Sequence, residues 1–205
     1  MSPLAGLLFL GYGGHARSVA DVALSLGIPR LAFVEPAAAA GESFLGHPVR
    51  TALPALLEPG WACYPAAGDN RRRAAQVAEV RARGWPLASV VSPRATLGHG
   101  SLLGEGCFVG HQAHIGPLAR IGEGCIVNSG AIVEHDVTLG RYVHVSVGTT
   151  VAGRATIGDF CFLGAGSTVI DKLRVAADVM LGAGAVAVRD IDEAGTWIGV
   201  PARRR

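Results

Sequence analysis

Hydrophobic and polar positions follow two different rhythms along this chain. From Leu97 onward every sixth residue is aliphatic through fifteen consecutive positions: Leu97, Leu103, Val109, Ile115, Ile121, Val127, Val133, Leu139, Val145, Val151, Ile157, Leu163, Val169, Val175 and Leu181. Two residues before each of these stands a mostly small one, from Ala95, Ser101 and Cys107 to Ala155, Cys161 and Ser167. A period of six is neither the 3.6 of a helix nor the 2 of a long strand. It fits a short strand with one large and one small inward residue, then a tight corner, repeated without interruption. Three such hexapeptides close a triangular coil of 18 residues, and stacked coils form a parallel β-helix. The residue after the aliphatic one is often Gly, from Gly98 and Gly104 to Gly164 and Gly182. The pattern reads these glycines as corners that need unusual backbone angles.

The first 88 residues follow the other rhythm. The apolar run Leu7–Leu10 leads into Gly11-Tyr12-Gly13-Gly14-His15-Ala16 and then a helical pattern through Val19, Val22, Ala23 and Leu26, stopped by Gly27. Leu31–Val34 is the next predicted strand, ending in Glu35-Pro36. An irregular stretch, Ala37–Pro48, and a short helix over Leu53–Glu58 are expected next. A third strand follows over Ala62–Ala67, and then a helix capped by Gly68-Asp69-Asn70. Leu87–Val91 is expected to hand the chain to the β-helix. Strand, glycine turn, helix, strand is the layout of a nucleotide module, because glycine lets the backbone approach a ligand and a helix N-terminus offers N–H groups to a phosphate. Gly11-x-Gly13-x-x-Ala16 also satisfies the dinucleotide fingerprint, with Glu35 placed 24 residues after Gly11. About 88 residues hold only half of a dinucleotide fold, which suits a single nucleotide. The expectation is therefore an α/β half-Rossmann domain over 1–88 and a β-helix over 89–205.

Composition narrows the classes. Half of the 205 residues are hydrophobic while only 6% are aromatic, as expected of a narrow core with no room for stacked rings. The 29 glycines lack the every-third spacing of collagen. A net charge of +2, from 18 basic and 16 acidic residues, gives no electrostatic footprint for nucleic acid, and Arg203-Arg204-Arg205 is too short for a binding arm. No run approaches the roughly 18 apolar residues of a membrane helix. Leu4–Leu10 has no basic residue before it, the first being Arg17, so it reads as a first strand rather than a signal core. The expected location is the cytoplasm. Cys107, Cys125 and Cys161 fall in the small inward column and read as buried hydrophobes, not as metal ligands or disulfides.

Histidine is the side chain best suited to remove a proton near neutral pH. Of the seven present, only His135 is flanked by two acids, Glu134 and Asp136. A carboxylate bonded to imidazole fixes its tautomer and stabilises the imidazolium. Around His135 the glycine column also lapses, with Asn128, Glu134, Ser146 and Ala152 in its place. Arg71-Arg72-Arg73 opens the predicted second helix against its dipole. That triplet is either a solvated face or a contact to an anionic ligand.

The hexapeptide column resembles that of the hexapeptide-repeat acyltransferases. More narrowly, the chain resembles the bacterial nucleotide-amino-sugar N-acetyltransferases, grouped with sialic acid O-acetyltransferases. The resemblance spans nearly the whole sequence. It rests on Gly13-Gly14-His15, Ala67-Gly68-Asp69-Asn70, Asn128-Ser129-Gly130-Ala131-Ile132-Val133-Glu134-His135-Asp136, His144-Val145-Ser146-Val147-Gly148 and Gly199-Val200-Pro201-Ala202-Arg203. It implies a left-handed β-helix, although parallel crossovers are generally right-handed. It implies homotrimers with acetyl-coenzyme A in the groove between neighbouring β-helices and a nucleotide-linked amino sugar as acceptor. It places the general base at His135 and a carboxylate that raises its basicity at Asp136, with Glu134 as the alternative. It places cofactor contacts at His144, Ala165 and Ala183, and nucleotide contacts at Gly13, Gly14, His15, Glu35 and Gly68. Within the family the rival reading is O-acetylation of a sialic-acid-type sugar, and an alternative of another class is a non-catalytic nucleotide-binding scaffold, against which the flanked His135 argues. A zinc carbonic anhydrase on the same scaffold needs H-x4-H spacing, whereas the β-helix histidines lie 12, 3, 21 and 9 apart. No metal is expected.

Overall fold

The computed structural model describes residues 4–205. Strand β1 (Gly6–Leu10) is buried on both sides and lies between β2 (Leu31–Val34) and β5 (Trp61–Pro65), parallel to each. Unbroken apolar strands of this kind are what a parallel sheet covered on both faces requires. Helix α1 (Gly14–Ser25) packs on the face carrying Leu7 and Phe9, and helix α2 (Asn70–Ala82) sends Val80 to the face carrying Leu8 and Leu10. The stretch expected to be irregular contains the short strand β3 (Ser43–Phe44) and the start of β4 (His47–Arg50). These form an antiparallel hairpin that extends the sheet to the order β3-β4-β2-β1-β5. No helix forms over Leu53–Glu58. Pro54 and Pro59 bracket too few residues to close helical hydrogen bonds, and Leu56 is exposed with no face to bury.

At Leu87 the chain bridges to Cys63 of β5, and at β6 (Val90–Val91) it enters a parallel β-solenoid. Up to Val186–Ala187 each strand pairs in parallel with the one 18 residues before it, as in Ile126↔His144 and Ile132↔Thr150, while the last coil closes at a spacing of 16, as in Leu181↔Trp197, and ends in an antiparallel pair, Trp197↔Arg204. The first face has eight strands, beginning at β6. The second has six, beginning at Thr96–Leu97, and the third has five, beginning at Leu102–Leu103. The aliphatic and small columns fill the interior. The thiols of Cys107, Cys125 and Cys161 are buried and donate to the carbonyls of Gly122, Gly140 and Ala176 at 3.1, 3.0 and 3.0 Å.

The glycine column has a different cause from the one the sequence suggests. Left-handed backbone does recur every six residues, but three positions after the aliphatic residue rather than one. It is carried by Gly100, Gly106 and Gly124, and equally by Gln112, Asp136, Tyr142 and Phe160. The glycines directly after the aliphatic residue have ordinary angles. A Cβ on Gly110 would lie 2.7 Å from the nitrogen of Ser129, and one on Gly164 2.6 Å from that of Ala183. Close stacking of one coil on the next requires them.

The N-terminal unit covers the first face. Helix α2 runs along the corner where the third face turns into the first: Arg81 pairs with Glu105 and Glu123, and Asn70 donates to Phe160 O and Cys161 O at 2.9 and 3.0 Å. At the corner between the first and second faces, His111 bridges Ser92 (2.7 Å) and Asp21 of α1 (3.1 Å). The corner between the second and third faces, which carries Pro117, His135, Gly153 and Asp171, lies opposite the covered face.

Candidate functional site

The turn after β1 opens a cleft of about 300 Å³ lined by Gly11–His15, Glu35, Ala66–Asp69, Arg72 and Gln76. Its floor is fixed by Gln76, which accepts from Ala67 N at 3.0 Å and donates to Leu10 O at 2.6 Å, joining the ends of β5 and β1. Gly11 sits at φ +117, where only glycine is comfortable. Gly13 and Gly14 differ: their angles are ordinary and a Cβ on either would meet nothing within 4 Å. Neither torsion nor packing within the chain explains them, so the space they leave belongs to the cleft. A second cavity of about 330 Å³, between Val34, Pro36, Leu53 and Glu79, shares Gly11, Arg72 and Gln76 with the first.

Gly68 belongs to this cleft and to a larger cavity of about 520 Å³, lined also by Asn70, Arg71, His144, Phe160, Phe162 and Met180. His144 donates from Nδ1 to the carbonyl of Gly68 at 3.1 Å. Burial, and then the nearby Arg73 guanidinium, push its pKa down to about 4, against the pull of that hydrogen bond. His144 is therefore neutral near pH 7, and its buried Nε2 is an acceptor with no partner among the described residues. His15 lies beside it, ring centroids 6.1 Å apart, with Nε2 at 3.2 Å from the Tyr64 hydroxyl. Burial, His144 and Arg73 push His15 down to about 3.

The three arginines of α2 divide. Arg71 pairs with Asp178 and stacks its guanidinium 3.7 Å over Phe160. Arg72 lines both cavities at the glycine turn. Arg73 is fully buried, and all five of its donors reach neutral oxygens: Gly124 O, Ala67 O, Gly68 O, Asn70 Oδ1 and Tyr142 O. Arg73 is thus neither a solvated face nor a ligand contact but the staple between α2 and the solenoid. Sequence reasoning did not single out Gln76, Phe160 or Phe162. The period of α2 from its Asp69 cap places 69, 72 and 76 along one side, which is the signal that could have found Gln76.

His135 stands at the opposite corner, half-exposed. Its Nδ1 lies 2.8 Å from Asp136 Oδ2, and its backbone N–H reaches Glu134 Oε2 at 3.2 Å. Asp136 occupies the left-handed corner position (φ 59), which aspartate tolerates better than most side chains and which turns its carboxylate back onto the preceding ring. With the Nδ1 proton directed to the carboxylate, Nε2 carries the lone pair. Ala165 and Ala183 lie one coil apart and exposed, at the corner between the first and second faces. The fold therefore gathers Gly13, Gly14, His15, Glu35, Gly68 and His144 on one side of the protomer, while His135, Glu134 and Asp136 stand on the other. No group of three His, Cys, Asp or Glu residues among those described is placed to hold a metal ion. No helix among them is long and apolar enough to cross a membrane.

No family model matches the chain, and no curated sequence matches it. Solved structures do. The acetyltransferase domain of PglB from Neisseria gonorrhoeae FA1090 is 31% identical over 98% of this chain and 100% of that one, with a TM-score of 0.93. The same domain has been solved in complex with acetyl coenzyme A, at 32% identity and a TM-score of 0.93, again over 98% and 100% of the two chains. PerB from Caulobacter crescentus, solved with CoA and GDP-perosamine, is 34% identical over 98% of this chain and 97% of that one, with a TM-score of 0.88.

Proposed function

Because the chain belongs to the hexapeptide-repeat N-acetyltransferases that act on nucleotide-linked amino sugars, we propose that it moves the acetyl group of acetyl-coenzyme A onto the amino group of such a sugar, with His135 as general base. The observation that carries the role of His135 is its pairing: an exposed imidazole held by Asp136 through Nδ1, leaving Nε2 to accept a proton. In this reading the amine nitrogen attacks the thioester carbonyl, the C–N bond forms and the C–S bond breaks. The proton lost from nitrogen passes to Nε2 and then to the departing thiolate. Asp136 stabilises the imidazolium formed in between.

The N-terminal unit is proposed as a half-Rossmann module that holds the nucleotide. The open space at Gly13 and Gly14, the N-terminus of α1 and the Arg72 guanidinium face one cleft, which suits a diphosphate. The neutral His144, with an unpartnered acceptor, suits an N–H of acetyl-coenzyme A or of the sugar amine. Ala165 and Ala183 are proposed as further contacts to the cofactor. We take the solenoid as left-handed, as the resemblance to the hexapeptide-repeat acyltransferases implies.

The placement of His135 also supports a homotrimer. The corner that carries it lies across the solenoid from the face that bears the clefts, so a second copy has to bring its His135 to the first copy's cleft. Leu118, Ile132 and Val147 are exposed on the second face and its two corners, which is apolar surface suited to such contacts. We propose the cytoplasm as the chain's location, a reading supported by the first apolar run, which forms a buried strand of the sheet. The test is thiol release from acetyl-coenzyme A against a panel of nucleotide-linked amino sugars and free sialic acids. Turnover with an amino sugar and an amide product supports the proposal. Turnover with sialic acids alone and an ester product reassigns the chain to O-acetylation, and no release with any acceptor leaves only a binding scaffold.

A further inference from the structure

We propose that Gly153 is a positioning residue for His135, its missing side chain forming the seat on which the imidazole lies. The proposal rests on the reading of His135 as general base. Two positions after each inward aliphatic residue the corner points outward, and fourteen of the fifteen such positions carry a side chain, from His99 and Glu105 to Ala177 and Ala183. Gly153 is the exception, and it stands 18 residues after His135, one coil further along the same corner. The stacking is direct: Arg154 N donates to His135 O at 2.9 Å. A Cβ built on Gly153 would lie 2.5 Å from His135 Nε2, 2.6 Å from Cε1 and 3.1 Å from Cδ2, so the ring lies flat across this α-carbon.

Two further features point the same way. Gly153 is buried while the other fourteen corner residues are half-buried or exposed, and the imidazole is what covers it. Its φ lies outside the left-handed region, so the backbone does not require glycine there as it does at Gly148 or Gly166. The ring is then located from two sides, by Asp136 at Nδ1 and by the bare backbone of Gly153 under Nε2. A methyl group at 153 would rotate the ring away from its seat, strain the contact to Asp136 and move Nε2 by about 1 Å, a displacement that costs on the order of 10²-fold in rate when proton transfer depends on it.

The experiment is Gly153→Ala, His135→Ala and the double variant, assayed for kcat and KM with acetyl-coenzyme A and an amino sugar turned over by the unaltered protein. Gly153→Ala is expected to lower kcat by 10- to 100-fold with both KM values within about threefold. In the His135→Ala background it is expected to change the residual rate less than twofold, since no ring remains to displace. A Gly153→Ala kcat within twofold of the unaltered protein, or an equal loss in both backgrounds, overturns the seat. Should Gly153→Ala fail to fold, the double variant decides: folding and melting like His135→Ala supports the clash with the ring, and failure to fold overturns it. Retention of activity by His135→Ala itself would sink the general base reading, an outcome distinct from these.

Discussion

His144 and His15 show how burial, with the Arg73 guanidinium adding to it, sets the chemistry of the clefts. Both are held neutral, at about 4 and about 3, against an ordinary value of 6.5. A histidine whose pKa is lower folded than unfolded stabilises the fold above the unfolded value and loses that contribution as pH falls towards the folded one. For His144 the window runs from about 6.5 down to about 4, worth on the order of 3 kcal/mol. Thermal unfolding followed from pH 7 to pH 4 is expected to show a falling Tm, and His144→Gln to flatten part of that fall. A parallel fall in both proteins would refute the assignment. At the glycine turn, Arg72→Gln is expected to raise KM for the nucleotide-linked sugar about tenfold or more, in line with a charge-assisted hydrogen bond, while Arg71→Gln, which breaks a pair with Asp178, does so less. The flanked His135 was legible in the sequence, but the division of labour between its neighbours was not. Asp136 reaches the ring because it sits at the left-handed corner, while Glu134 turns to a backbone N–H. The role of Arg73 was equally hidden, because its acceptors Gly124 and Tyr142 lie 51 and 69 residues away.

Helix α2 is the element on which the assembly of the two units turns. Arg81 anchors its C-terminal end at the early coils, Asn70 its N-terminal end at the later ones, and Arg73 fills the middle. Arg73→Met is expected to leave buried carbonyls of Ala67, Gly68, Gly124 and Tyr142 without their donors, at a cost of about 3 kcal/mol or more. For a chain of this size that corresponds to a Tm lower by roughly 6–12 °C. Calorimetry showing an unchanged Tm would contradict the staple. Among elements, the solenoid strands were the most legible, because a six-residue period repeated fifteen times leaves no competing pattern. The hairpin over 43–50 and the turns over 53–58 were not, since segments this short are decided by what they pack on. The glycine column shows the same limit: its period was visible, but whether torsion or stacking imposed it depends on the neighbouring coil, 18 residues away.

At the scale of the whole molecule, the clefts and His135 occupy opposite sides of one chain, so the proposed active site calls for a second copy to complete it. Pairing His135→Ala with Gly14→Asp, each expected to be nearly inactive alone, should regain about a quarter of full activity on co-expression, because a quarter of randomly formed interfaces join an intact His135 to an intact cleft. Mixtures as inactive as their parts would mean that each protomer builds its own site. The change of rhythm from an open sheet to a hexapeptide solenoid was legible along the chain, whereas the packing of one on the other was not, because it depends on contacts such as Arg73 to Gly124 and Asp21 to His111. The central claim is proton removal by His135, and kcat of His135→Ala bears on it most directly, measured with acetyl-coenzyme A and an amino sugar turned over by the unaltered protein. The account predicts a fall of roughly 10²- to 10⁴-fold with KM values little changed. Retention of more than about a tenth of kcat would contradict it.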